Sequence, residues 1–205
     1  MSPFARTCQA THLLSRVIVH INTGEDDSNP AHYYRQALHL HQVILSFHNA
    51  LHKAVASGDT ATSVELSSAV GICSTALIAL CDQHTCADLD NPAGIGIPEQ
   101  LKMQSTALET LQEIMPMIAE WAARLTHCLD ETAWSAMASP FVSQSVYSAA
   151  KQLLCCIRET EDRDLLPLVN RLISLLTQVG RRWHAASTVP ALPPSYEICV
   201  SSSPR

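Results

Sequence analysis

Apolar residues recur every three to four positions through most of this chain, and that spacing constrains its fold more than any other feature. Leu165, Leu168, Leu172, Leu175, Leu176, Val179 and Trp183 form one such stripe, and Val142, Val146, Ala149, Leu153 and Ile157 form another. At 3.6 residues per turn each set falls on one face of a helix. A chain with 47% apolar residues and 16% charged ones is not disordered, and 6 Gly with 5% aromatics disfavour a turn-rich sandwich. The predicted fold class is all-α: an irregular bundle of about six helices with a disordered C-terminal tail. At 205 residues the chain is long enough to bury a core without disulfides or metals.

The stripes place the elements. Leu13, Leu14, Val17, Ile18 and Ile21 predict a first helix, closed by the Asn22–Pro30 stretch. Ala37, Leu40, Ile44, Phe47, Leu51 and Ala54 share a face of a second helix, over about Ala31–Ala56, that stops near Gly58. A third helix, capped by Thr60 or Thr62 and running to about Cys81, is apolar on most sides through Ala69, Val70, Ile72, Ala76, Leu77 and Leu80. Such an element is packed on several faces and belongs at the centre. After a connector at 88–98, Leu101, Leu108, Leu111, Met115, Ile118, Ala122, Leu125 and Leu129 predict a fourth helix that Pro116 must kink or split. Ser139 and Pro140 suit the cap and first residue of a fifth. Glu159–Asp164 is a charged turn, and Pro167 sits in the first turn of the sixth helix. The third, fifth and sixth helices are expected to form the core. Residues 187–205, rich in Pro and Ser, read as the disordered tail, so the domain proper is 1–186.

A net charge of −6 repels phosphate, so direct nucleic-acid binding by this chain alone is not expected. The cysteines Cys8, Cys73, Cys81, Cys86, Cys128, Cys155, Cys156 and Cys199 contain no C-x-x-C pair and read as buried free thiols of a reducing compartment. The N-terminal residues lack the pattern of a secretory signal, and the longest apolar run, Ala69–Leu80, falls short of the about 20 residues a membrane span needs.

Motifs that carry chemistry are few. There is no G-x-S-x-G, P-loop, G-x-G-x-x-G or H-E-x-x-H pattern, so no catalytic residues are assigned and the chain reads as no enzyme, without cofactor. His41, His48 and His52 lie along one flank of the second helix, and His48 and His52, one turn apart, have a spacing that can chelate zinc. No carboxylate or cysteine ligand stands beside them, and a half-exposed flank accommodates histidines without a role, so no metal ligands are assigned. Cys81, His84 and Cys86 form another ligand-like group, read as a frayed helix end. Pro193-Pro194-Ser195-Tyr196 is a P-P-x-Y sequence of the kind WW domains read; a polyproline segment is already extended and docks at low entropic cost.

Ser139-Pro140-Phe141-Val142, Val146-Tyr147-Ser148-Ala149-Ala150 and Arg181-Arg182-Trp183 carry a resemblance. They resemble the end of the regulatory region of fungal transcription factors of the binuclear zinc cluster class, where a Pro-led helix with Tyr-x-Ala-Ala precedes a leucine-rich helix ending in Arg-Trp. Arg182 and Trp183 are the family-motif residues. Cys8–His20 and Tyr33–Leu40 resemble the same region more weakly. The resemblance implies a nuclear, all-helical module that tunes transcription, of a metabolic or secondary-metabolite gene set, through the transcription machinery or other regulators. The cytoplasm is the other compartment left open. The six-cysteine DNA-reading module of such factors is not in this sequence, and Met1 falls midway through the usual region. The alternative expectation is a helical adaptor whose Pro193, Pro194 and Tyr196 recruit a WW-domain protein.

Overall fold

The computed structural model describes residues 2–23, 29–85, 98–129 and 139–180, and among them every regular element is helical. Seven α-helices follow in order: α1 (Pro3–Thr23), α2 (Pro30–Ser57), α3 (Thr60–Glu65), α4 (Ser67–Thr85), α5 (Pro98–Leu129), α6 (Pro140–Thr160) and α7 (Leu166–Gly180), with a short 3₁₀ turn at Arg163–Leu165 before α7. The all-α irregular bundle expected from the periodicity is therefore the fold. The expected tail, 187–205, lies outside the described residues.

The count rises from six because the expected third helix is two. Asp59, rather than Thr60 or Thr62, caps α3: its carboxylate accepts the Thr62 N–H at 2.8 Å. The chain then turns at Leu66, and the Ser67 hydroxyl donates to the Val64 carbonyl at 2.7 Å, a local bond that competes with the helical ladder. The Ser139 cap of α6 is as expected, accepting the Phe141 N–H at 3.3 Å. Glu161, with φ 57°, closes α6 in the left-handed region, its N–H donating to the Ile157 carbonyl. A side chain there is strained by roughly 1–2 kcal/mol, which glycine would avoid.

Pro116 splits nothing: α5 runs unbroken through it. The residue is exposed, as is Gln112, so the carbonyl that loses its N–H partner lies on the water side of the helix. The expected inward face of α5 holds at Leu111, Met115, Ile118, Ala122 and Leu125 and fails in the first turns. Leu101 and Leu108 are 54% and 46% exposed, while Met103, Ala107, Thr110, Ile114 and Trp121 are buried.

The helix α4 is the centre, touching α1, α2, α5 and α6. Its buried residues run round the whole cylinder, from Ala69 and Val70 through Ile72, Cys73, Leu77 and Leu80, which is why it lacks the single stripe of a surface helix. At Gly71 α6 approaches closely: an added Cβ would lie 2.9 Å from the Phe141 carbonyl oxygen. The core is wider than the expected trio of helices, because α5 contributes Trp121, Met103, Ile114 and Ile118 to its largest fully buried side chains and packs against α2, α4 and α7. The thiols divide. Cys73 and Cys81 are buried as expected, and burial pushes both up to about 12, with Asp82 adding to the shift at Cys81. Cys8 is exposed and Cys155 and Cys156 are half-buried, because they fall on the outer edges of their helices. No described helix is long and apolar enough to cross a membrane.

Candidate functional site

The buried stripe of α2 is a three-four repeat, Tyr34, Ala37, His41, Ile44, His48, Leu51 and Val55. It differs from the expected face by one step at 40, 47 and 54: Leu40 is buried too, but His41 and His48 occupy the seam, while Phe47 and Ala54 are only half-buried. What makes this affordable is on the facing helices. His41 Nε2 shares a 2.7 Å hydrogen bond with the Thr110 hydroxyl of α5, and His48 Nε2 shares one of 3.2 Å with the Ser74 hydroxyl of α4. A hydroxyl partner removes the penalty of an unpaired polar atom at each Nε2, while His48 Nδ1 remains buried without a partner.

From Ser74 a polar row leads outward through His48 and His52 to Trp121. The rings of His48 and His52 are 4.3 Å apart, and those of His52 and Trp121 are 6.4 Å apart and close to perpendicular. His52 Nε2 and Trp121 Nε1 are buried without a hydrogen-bond partner. Burial, aided by the charge of His52, pushes His48 down to about 3; burial and then the Arg124 guanidinium push His52 down to about 4. Both imidazoles are neutral near pH 7 and too weakly basic to take up protons efficiently there.

The row ends in a groove of about 340 Å³ between α2 and α5, lined by Asn49, His52, Lys53, Val55, Ala56, Met117, Glu120, Trp121 and Arg124. This is within the range of small-molecule pockets. Glu120 is held from two sides, by Arg124 Nε at 3.4 Å and by Arg171 of α7 at 3.5 Å. Lys53 makes no ion pair among the described residues.

A second histidine cluster sits where α1, α2 and α4 meet. His20 stacks on Tyr33 at 4.2 Å, and His84 lies 5.6 and 5.7 Å from Tyr33 and Tyr34. His84 is thus an ordered part of the core rather than a frayed end, since α4 continues to Thr85. Burial, then the nearby His20, pushes His84 down to about 4; burial also lowers His20, against a weaker upward pull from Gln36.

Among the described residues no three or more His, Cys, Asp or Glu side chains are grouped to hold a metal ion. The flank of His41, His48 and His52 is largely buried rather than half-exposed, with nitrogens of His41 and His48 already engaged. Arg182, Trp183, Pro193, Pro194 and Tyr196 lie outside the described residues, as does Cys86. Sequence reasoning passed over the groove: Lys53, Glu120, Trp121 and Arg124 look like ordinary surface and core residues until α2 and α5 are set side by side. Comparison of the chain with models of known families, with curated proteins and with solved structures finds no match in any of the three.

Proposed function

We propose that this chain is a non-enzymatic regulatory domain of the kind found in fungal transcription factors of the binuclear zinc cluster class. It works in the nucleus through contacts with other regulators or the transcription machinery, and it tunes a metabolic or secondary-metabolite gene set without gripping DNA itself. The observation that carries the reading is the resemblance in Ser139–Val142 and Tyr147–Ala150, segments that fall in one helix, α6, buried against α4 and paired with the leucine-rich α7. Of the residues that carry the resemblance, Val142, Ala149 and Ala150 are buried, while Phe141 and Tyr147 are 43% and 45% exposed. Two further features agree with the reading. His41 and His48 are hydrogen-bonded and His20 is stacked within the packing, and the −6 charge suits protein partners better than phosphate.

The test is a fusion of the whole chain to a foreign DNA-binding domain, read out on a reporter carrying the matching sites. A change in output in either direction is expected. A folded, nuclear fusion that leaves the reporter untouched counts against the reading.

The second reading rests on Pro193-Pro194-Ser195-Tyr196. Here the chain is an adaptor that recruits a WW-domain protein, and Tyr196→Ala removes that binding while leaving the helical fold intact.

A further inference from the structure

The groove between α2 and α5 has more hydrogen-bond donors than acceptors. Among its lining residues Glu120 is the one carboxylate, and it is already shared by Arg124 and Arg171. Arg124 gives its Nε–H to that carboxylate at 3.4 Å, which leaves its Nη donors uncommitted. Lys53 is exposed and free of ion pairs among the described residues, and Asn49 adds an exposed amide. The local balance of charge is therefore positive in a chain whose net charge is −6. The rest of the lining is apolar: Val55, Ala56, Met117 and the ring of Trp121. Beneath lie the unpartnered Trp121 N–H and the ring of His52. Buried donors without acceptors are rare in folded proteins, and a bound acceptor is one ordinary resolution.

We propose that this groove binds small organic monocarboxylates with an apolar tail, the carboxylate between Lys53 and Arg124 and the tail along Val55, Met117 and Trp121. Arg and Lys are the natural partners of a carboxylate, and the Arg fork favours two parallel bonds to it. The volume suits a short acyl chain and leaves the apolar wall something to cover. Trp121 Nε1 and His52 Nε2 are shielded from solvent, so first contact is with the two cations at the rim. The inference is independent of the regulatory reading, since it is drawn from the groove alone and its assay involves no reporter.

Sodium hexanoate is the probe, titrated into the isotope-labelled full chain while the indole N–H resonance of Trp121 is followed. Trp134→Phe and Trp183→Phe variants assign that resonance. Saturable movement is expected, with a dissociation constant on the order of 1–10 mM for a ligand of about eight heavy atoms. Shortening to butyrate weakens binding by about twofold or more per methylene, short of the about fourfold expected of full burial. Hexanamide, which keeps the tail and loses the charge, binds about tenfold more weakly. Lys53→Met and Arg124→Met each weaken hexanoate about threefold or more. Arg124→Met leaves Glu120 paired with Arg171, so the fold is kept. Ala56→Glu, at an exposed helical position, places a like charge in the groove and abolishes binding. The proposal is overturned by no saturable shift at about 50 mM, by hexanamide or inorganic phosphate binding as well as hexanoate, or by Lys53→Met and Ala56→Glu titrating like the parent chain.

Discussion

Two groups of buried histidines are accommodated in this bundle by different means. Along the seam of α2, His41 and His48 are matched with hydroxyls across the interface, Thr110 at 2.7 Å and Ser74 at 3.2 Å. At the meeting of α1, α2 and α4, His20 and His84 have ring nitrogens without a hydrogen-bond partner and lie against Tyr33 and Tyr34, with the stacked pair 4.2 Å apart. The first arrangement fixes which helix faces meet, because a hydroxyl must stand opposite each imidazole. The second uses the flat faces of the rings, which bury area without demanding a particular partner atom. One is a matter of register and the other of shape, yet both require the imidazole to be neutral.

That shared requirement gives the largest expected effect. His48, His52 and His84 are held at about 3, 4 and 4 in the native chain, below the ordinary value of 6.5. Above pH 6.5 both folded and unfolded states carry them neutral, and stability is flat. As pH falls below 6.5 the unfolded chain takes up protons that the native chain refuses, so native stability drops, reaching its full loss only near the native values. By pH 5 each group costs roughly 2 kcal/mol, which together approaches the whole stability of a typical domain. Urea unfolding measured from pH 8 to pH 5 should show a plateau and then a steep decline beginning near pH 6.5. A level profile across that range would mean that neither group is buried in its neutral form.

Removing one half of a matched pair comes next. His48→Ala empties a fully buried site and leaves the Ser74 hydroxyl without its partner, at an expected cost of about 2–4 kcal/mol in chemical denaturation. Replacing both halves, as His48→Leu with Ser74→Ala, should cost less than about 1.5 kcal/mol, because no polar atom is orphaned. If the double replacement costs as much as His48→Ala, the hydroxyl match is not what makes the seam stable. The smallest effect is expected at the stacked end. His84→Leu removes a buried nitrogen that has no partner, so stability at pH 7.5 should stay within about 1 kcal/mol of the parent. The decline toward pH 5 should become shallower, by roughly 2 kcal/mol at pH 5. A loss of several kcal/mol at pH 7.5 would show that stacking specifies this corner as strongly as hydrogen bonding specifies the seam.

The elements were legible wherever one face is buried and the residues on it are plainly apolar. In α6 every expected inward position, from Val142 to Ile157, is buried, and in α7 the stripe holds at Leu172, Leu175, Leu176 and Val179, while Leu165 and Leu168 are half-buried and Val169, outside the expected stripe, is buried instead. The central place of α4 was legible for the opposite reason, since a helix apolar on most sides needs neighbours on most sides. In α2 and α5 the expected faces hold only in part, because the buried sets also include His41, His48 and Thr110. A histidine is scored as polar until its partner is known, and the partners are 26 and 69 residues away in sequence. The groove was illegible for the same reason at longer range: Lys53 and Arg124 acquire meaning only from the α2 and α5 pairing. The break at Leu66 was not legible between Glu65 and Ser67, as a local hydroxyl bond leaves no trace in periodicity.

The exposed proline of α5 divides that long helix more subtly than a kink would. Residue 116 carries no amide proton, so the ladder of exchangeable hydrogens along α5 has one missing rung, with Met103, Ala107 and Thr110 buried before it and Ile118, Trp121 and Leu125 buried after it. Hydrogen exchange should therefore report two protected blocks with a weak link around Gln112 on the water side. The block after the proline forms one wall of the groove and holds Glu120 between two arginines. Breathing of that wall then does not require unlocking the Thr110 contact with His41, and the two halves of a single continuous helix can answer to different forces.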